Sequence, residues 1–167
     1  MVCSNKIAPG NSPPKVGLLS GGYPPDFDAI GQYTSCLAAS LADLGCEVTI
    51  FTGRPGLRNR VENDLDSPIP VERFFDPSRP SSIRQLGEAC RRAGKPDWLI
   101  VQFNPFSFGP RGWCPALPST LWRLRREQGV RIAVNFHETH VPPWPVNFLV
   151  MLAWQYPIFA NLAACAD

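Results

Sequence analysis

The 167-residue sequence predicts an α/β fold: a parallel sheet with helices on both faces. Three observations carry this reading. Five short apolar, β-branched runs recur along the chain, and segments with helical spacing alternate with them. The run at Trp98 is continuous enough in apolar residues to be covered on both faces. Strands joined by right-handed crossovers also place the loops that follow them at one edge of the sheet, where ligands of such folds bind.

The first strand is Lys15-Val-Gly-Leu-Leu-Ser20, followed by the loop from Gly21 to Asp28. A helix then runs to about Leu44, with Asp28 as N-cap and Gly45 just past its end. Ile30, Tyr33, Thr34, Leu37, Ala38, Leu41 and Leu44 recur at spacings of three and four and share one face. Glu47–Thr52 is the second strand, and the polar stretch from Arg54 to Pro68 reads as a surface loop. Pro70–Phe75 is a short third strand. Ser81 or Ser82 caps a helix running through Ala93, and Gly94 ends it. Trp98–Phe103 is the fourth strand, followed by a Pro- and Gly-rich loop from Asn104 to Pro118. Ser119–Gln128 is a basic helix, and Arg131–Phe136 is the fifth strand. The apolar segment from Trp144 to Cys165 reads as two helical pieces broken at Pro157, buried against the sheet or another domain.

Composition narrows the function classes. A 44% hydrophobic and 18% charged chain of this length builds one sizeable core and is neither disordered nor fibrous. A net charge of +2 argues against a nucleic-acid partner. The six cysteines, at 3, 36, 46, 90, 114 and 165, lack C-x-x-C spacing and read as reduced thiols of a cytoplasmic protein. Residues 1–14 are a polar, flexible leader with no secretory h-region, so the domain proper spans residues 15–167.

Three loops lie at the expected ligand edge: Gly21 to Gly31, Asn104 to Gly112, and His137 to Trp144. Gly21 and Gly22 permit close backbone approach, and the helix starting near Ala29 points N–H groups toward that loop. Such a terminus binds phosphate without a basic side chain, although a tight strand-to-helix turn has the same composition. The loop is not a dinucleotide fingerprint, because Gly17, Gly21 and Gly22 do not spell G-x-G-x-x-G; nor is it a Walker A loop. A dehydrogenase fragment is thereby disfavoured.

His137 and Glu138 directly follow a buried strand. There an imidazole can hydrogen-bond a sugar hydroxyl or stabilise charge near a leaving phosphate, or simply satisfy loop backbone. His140 makes H-x-x-H spacing, but Pro142 and Pro143 oppose the helix that an H-E-x-x-H zinc site requires, so no metal is expected. Arg123, Arg125, Arg126 and Arg131 form a basic run. It reads as a solvated helix face, with peripheral contact to an anionic membrane as the alternative.

At these loops the chain resembles the N-terminal domain of glycosyltransferase family 4, one Rossmann-like half of a two-domain GT-B pair. The likeness rests on Gly21-Gly22-Tyr-Pro-Pro25, on Ile30-Gly31-Gln-Tyr33, and on the helix running into Leu44-Gly45-Cys-Glu-Val-Thr49. Val101-Gln-Phe-Asn-Pro-Phe-Ser-Phe-Gly109 and Val134-Asn-Phe-His-Glu138 extend it, so that it covers about Lys15 to Asp167.

The resemblance implies transfer of a sugar, of hexosyl type, from a nucleotide-sugar to a sugar or lipid-linked acceptor. It implies retention of configuration, no catalytic metal, and the nucleotide-sugar as co-substrate in place of a cofactor. The acceptor lies mainly on this domain and the donor mainly on a C-terminal one. Gly21, Gly22, Asp28, Ile30 and Gly31 then belong to the donor-phosphate and acceptor loop, with Asn104 on the acceptor side. His137 falls where the family's histidine approaches the transferred sugar, with Glu138 beside it.

The chain departs from the family pattern at Asp28 and Ala29, which stand where paired glycines are usual, and at Cys46 in place of histidine. The family's E-x7-E donor pair is absent, so the chain reads as an enzyme fragment that lacks its donor domain and is inactive alone. It would work in the cytoplasm, with the membrane's inner face in reach of the basic run. The competing reading is a stand-alone Rossmann-like ligand-binding or interaction module without catalysis.

Overall fold

A computed structural model describes residues 12–26, 28–53, 68–144 and 147–167. The expected leader up to residue 11 and the expected loop over residues 54–67 lie outside them. Five strands, β1 (Lys15–Ser20), β2 (Glu47–Gly53), β3 (Val71–Phe75), β4 (Trp98–Phe103) and β5 (Arg131–Phe136), form one sheet in the order β3-β2-β1-β4-β5. Every neighbouring pair is parallel, as the alternation of elements predicts. The order reverses between β1 and β4, and that switch point opens a crevice beyond the strands' C-terminal ends.

Four helices cover the faces: α1 (Ala29–Asp43), α2 (Leu86–Arg92), α3 (Ala116–Gln128) and α4 (Asn147–Cys165). Among the described residues, α1 is the one helix on one face, its Ala38, Leu37 and Leu41 packing on Val16, Leu18, Val48 and Ile50. The larger core, on the other face, joins Leu19, Phe51, Leu99, Val101 and Ile132 to the last three helices. Thr34 and Ala38 are buried as the spacing of α1 predicts, whereas Tyr33 and Leu44 are 47% and 60% exposed. These two lie at the flanks of the helix's apolar stripe, outside the reach of the sheet.

Several expected boundaries are corrected. β3 starts at Val71: Pro70 has no N–H to donate, although its carbonyl accepts from Ile50 N at 2.9 Å. The helix expected from Ser81 or Ser82 to Ala93 is a 3-10 turn, Pro80–Gln85, running into the short α2. Ser82 does not cap it; its Oγ accepts from Asp76 N at 2.9 Å and so ties the turn to the end of β3. α3 begins at Ala116 rather than Ser119, and Pro118 falls in its first turn, where a missing N–H costs nothing.

α4 is one helix through Pro157, not two pieces. Packing on both sides of the proline holds it. Trp154 Nε1 and Gln155 Nε2 both donate to the Arg111 carbonyl at 3.1 Å, while Ile158, Leu162 and Cys165 are buried in the larger core. Burial of this helix against the sheet is partial. Only 22% of Phe148–Cys165 is buried, although its mean hydropathy is 1.5, and Leu149, Val150 and Tyr156 face outward.

The loop after β4 is anchored from below. Phe108 is buried and stacks on both Phe75 and Phe103, with ring centroids 5.9 and 6.1 Å apart and planes within 11°. Phe108→Ala should therefore destabilise the domain by about 3–5 kcal/mol. Urea unfolding followed by tryptophan fluorescence measures this, and a loss below about 1 kcal/mol would show that the loop is not anchored by this ring.

Burial also separates the cysteines. Cys90 and Cys114 lie in the core, and burial pushes both thiols up to about 12. A group raised in the folded state stabilises folding below the unfolded-state value, near 9, and loses that contribution as pH rises toward 12. Native alkylation at mildly alkaline pH should modify exposed Cys36 and spare Cys90 and Cys114 until denaturant is added, as mass spectrometry of the digests would reveal.

Candidate functional site

The three loops singled out in the sequence meet at the C-terminal edge. Gly21 follows β1, Asn104 follows β4, and His137 follows β5, its N–H extending the ladder to the Phe103 carbonyl at 3.0 Å. The glycines serve contact between these loops. A Cβ on Gly21 would lie 2.2 Å from the Ser107 carbonyl oxygen, one on Gly22 2.6 Å from Asp28 Oδ2, and one on Gly31 2.8 Å from the Gly22 oxygen. Each glycine lets a neighbouring segment come closer than any side chain permits.

The N-terminus of α1 is capped from within the chain. Asp28 accepts from Ile30 N and Gly31 N, each at 3.2 Å, through its two carboxylate oxygens. Ile30, half-buried, also receives the Thr34 hydroxyl on its carbonyl at 2.7 Å. The two first-turn N–H groups of Ile30 and Gly31 therefore already hold an anion, the protein's own. Arg73 braces this loop from β3: it donates to the Pro24 carbonyl and lies 3.8 Å from Asp26. Its side chain is largely buried.

Across the switch point, Asn104 works in two directions. Its Oδ1 accepts from Phe106 N at 2.9 Å, shaping the turn, and its Nδ2 donates to Glu138 Oε2 at 3.1 Å. Sequence reasoning put Asn104 and Glu138 in separate loops, and the fold joins them. His137 is held on two sides. Its Nε2 lies 2.8 Å from Gln102 Oε1, and its ring meets Tyr33 edge-on at 5.2 Å between centroids. The Nδ1 of His140 donates to the Val141 carbonyl at 3.1 Å, and its ring lies near Tyr156. Residues 136–142, with Phe106 and Phe148, line an open pocket of about 560 Å³ beside the imidazole.

Gln102 and Tyr33 went unrecognised in the sequence. Gln102 is one of a row. Alternation along each strand puts Thr52, Ser20, Gln102 and Asn135 on the α1 side of four adjacent strands. The register pairs Ser20 with Thr52 and Gln102 with Asn135, and the β1–β4 register continued by one residue sets Ser20 beside Gln102. Below the row that face is apolar; at the row it turns polar. Ser20 Oγ, Thr52 Oγ1 and Gln102 Nε2 are buried without a hydrogen-bond partner among the described residues. The signal available in the sequence was a single polar residue near the end of each apolar run.

The basic run lies elsewhere. It occupies the end of α3 and the start of β5, the sheet edge opposite the loops. Arg123 donates to the Arg84 carbonyl, Arg125 pairs with Asp167, and Arg131 sits 4.3 Å over the Trp98 ring.

A family model described as glycosyl transferase 4-like domain matches residues 28–165, from the α1 cap through all of α4 but the region after it. Comparison with curated proteins finds no match. Comparison with solved structures also finds none. The family match spans most of the chain, takes in Asn104, His137 and Glu138, and agrees with the all-parallel sheet whose switch point these residues surround. The chain belongs to the family of glycosyl transferase 4-like domains.

Proposed function

We propose that this domain supplies the acceptor side of a transfer that moves a sugar from a nucleotide-sugar to a sugar or lipid-linked acceptor, with retention of configuration. The observation that carries the reading is the placement of His137. It stands just past the end of β5, braced by Gln102 and Tyr33, on the lining of an open pocket that Glu138, itself held by Asn104, also lines.

The pocket suits an acceptor of mixed character. Phe106 is 48% exposed and, with Phe136 and Phe148, offers apolar surface for the C–H faces of a sugar or the start of a lipid. Glu138 and Asn104 offer hydrogen-bonding groups for hydroxyls. In this reading the nucleotide-sugar is a co-substrate and its main contacts come from a second domain. Any donor phosphate that approaches the α1 N-terminus must share Ile30 N and Gly31 N with the Asp28 carboxylate, or displace it. The reaction belongs to the cytoplasm, with a membrane's inner face as the place of a lipid-linked acceptor.

Two outcomes are expected. Residues 1–167 expressed alone should release negligible nucleoside diphosphate from a panel of nucleoside-diphosphate sugars, because positioning by both domains supplies much of such catalysis. Robust transfer by this polypeptide would overturn the division of labour. In the complete enzyme, His137→Ala should lower turnover by on the order of a hundredfold with a smaller change in donor KM, while Glu138→Ala does less. Near-normal turnover of His137→Ala with its fold intact would make the histidine structural and leave a ligand-binding module as the better description.

A further inference from the structure

His137 is positioned by a group whose chemistry decides which of its nitrogens carries the hydrogen. Nε2 lies 2.8 Å from Oε1 of Gln102, whose side chain is fully buried. A carboxamide oxygen only accepts, so a contact this short requires the hydrogen on Nε2. Asn135 Nδ2 donates to the same Gln102 oxygen at 3.0 Å, so the two amide orientations agree with one another. Turning the Gln102 amide over alone would set two donors face to face. Asn135 Nδ2 also stands 3.5 Å from His137 Nε2, but a contact at that distance is weak beside one at 2.8 Å and does not set the tautomer.

With Nε2 committed, the lone pair of the neutral ring lies on Nδ1. That atom makes no hydrogen bond with any described residue, and the histidine is exposed. The edge of the Tyr33 ring limits how far the imidazole can turn. Gln102 and Asn135 are register partners on β4 and β5, so the arrangement is built into the sheet, not into a loop.

We infer that Gln102 is a positioning residue that locks His137 in the Nε2–H tautomer, so that the neutral ring offers its ligand a hydrogen-bond acceptor at Nδ1. The matching ligand group is an O–H donor such as a sugar hydroxyl. A phosphate oxygen, which also brings only lone pairs, is rejected by the neutral ring. The consequence for sugar transfer rests on the function proposed above; the tautomer itself does not.

The test therefore begins with residues 1–167 and needs no substrate. With ¹⁵N-labelled histidine, long-range ¹H–¹⁵N correlation at alkaline pH reports the hydrogen's location on each neutral ring. The chain has two histidines, and a His140→Gln variant assigns them. The expected result is a pyrrole-like Nε2 and a pyridine-like Nδ1 at His137. Gln102→Leu should move both resonances toward the averaged values of a tautomer mixture, and Gln102→Glu, which keeps an accepting oxygen, should restore the locked pattern.

A wild-type spectrum with the hydrogen on Nδ1, or already averaged, overturns the proposal, as does a folded Gln102→Leu protein whose pattern is unchanged. Should Gln102→Leu fail to fold, the wild-type and Gln102→Glu spectra still decide. In the complete enzyme, Gln102→Leu should lower kcat about tenfold with recovery in Gln102→Glu. A locked tautomer without any change in transfer would preserve the positioning role and refute the part assigned to His137 in the reaction.

Discussion

The candidate site depends on the crossing of two loops directly above the central strand β1. Gly21 passes the Ser107 carbonyl at a distance that leaves no room for a Cβ, and Phe108, the next residue, is sunk into the core against Phe75 and Phe103. That crossing sets where α1 can begin, because Gly22 and Gly31 pack on one another within the same turn. It also sets where Asn104 stands, since the 3-10 turn from Pro105 to Ser107 leads straight into the Ser107 contact. Tyr33, one turn into α1, thereby reaches His137 at the end of β5. Nothing local to either segment would bring those two rings together.

The α1 face of the sheet divides into two levels with different physical tasks. Lower down, Val16, Leu18, Val48, Ile50 and Ile100 bury apolar surface against the helix and supply stability. At or one residue from the strand ends, the row of Thr52, Ser20, Gln102 and Asn135 replaces apolar contact with hydrogen-bonding groups. Buried polar atoms without partners weaken a fold, and three of those in the described residues belong to this row. Their position under the working edge gives the row a meaning that packing alone does not. Gln102 in particular connects a rigid strand to an exposed imidazole.

The charged groups around the site are engaged by partners within the protein. Arg73, beside the β1 loop, is engaged with Pro24 and Asp26, and Arg123, Arg125 and Arg131 lie at the opposite edge with partners of their own. The α1 terminus is occupied by Asp28, and Glu138 by Asn104. In the function proposed above, recognition would rely on directed hydrogen bonds and aromatic surface, which suit the hydroxyls and C–H faces of an acceptor better than a free phosphate. The exposed apolar side of α4 is a separate matter: a helix of nineteen residues with no charged side chain faces outward over most of its length.

The amino-acid sequence by itself determined the alternation of elements, the parallel sheet and the edge at which the three loops meet. β1, β4 and β5 carry the boundaries read from their apolar runs, because strand length there is set by local composition and by the glycines and loops that follow. Asp28 as cap and Gly45 just past α1 were legible for the same reason: each satisfies a need of its own helix. Tertiary structure decided what depends on distant partners. Pro157 does not break α4, because contacts on both sides of it outweigh one lost hydrogen bond. Gln102 lies in a run read only as continuously apolar, and only the register with β5 shows it beneath His137. The glycines of the first loop looked open to a phosphate, yet they face Ser107, Asp28 and one another. Sequence spacing records which residues share a strand or a helix face; which loop crosses which, and what a side chain meets there, follows from the packing of segments that lie far apart along the chain.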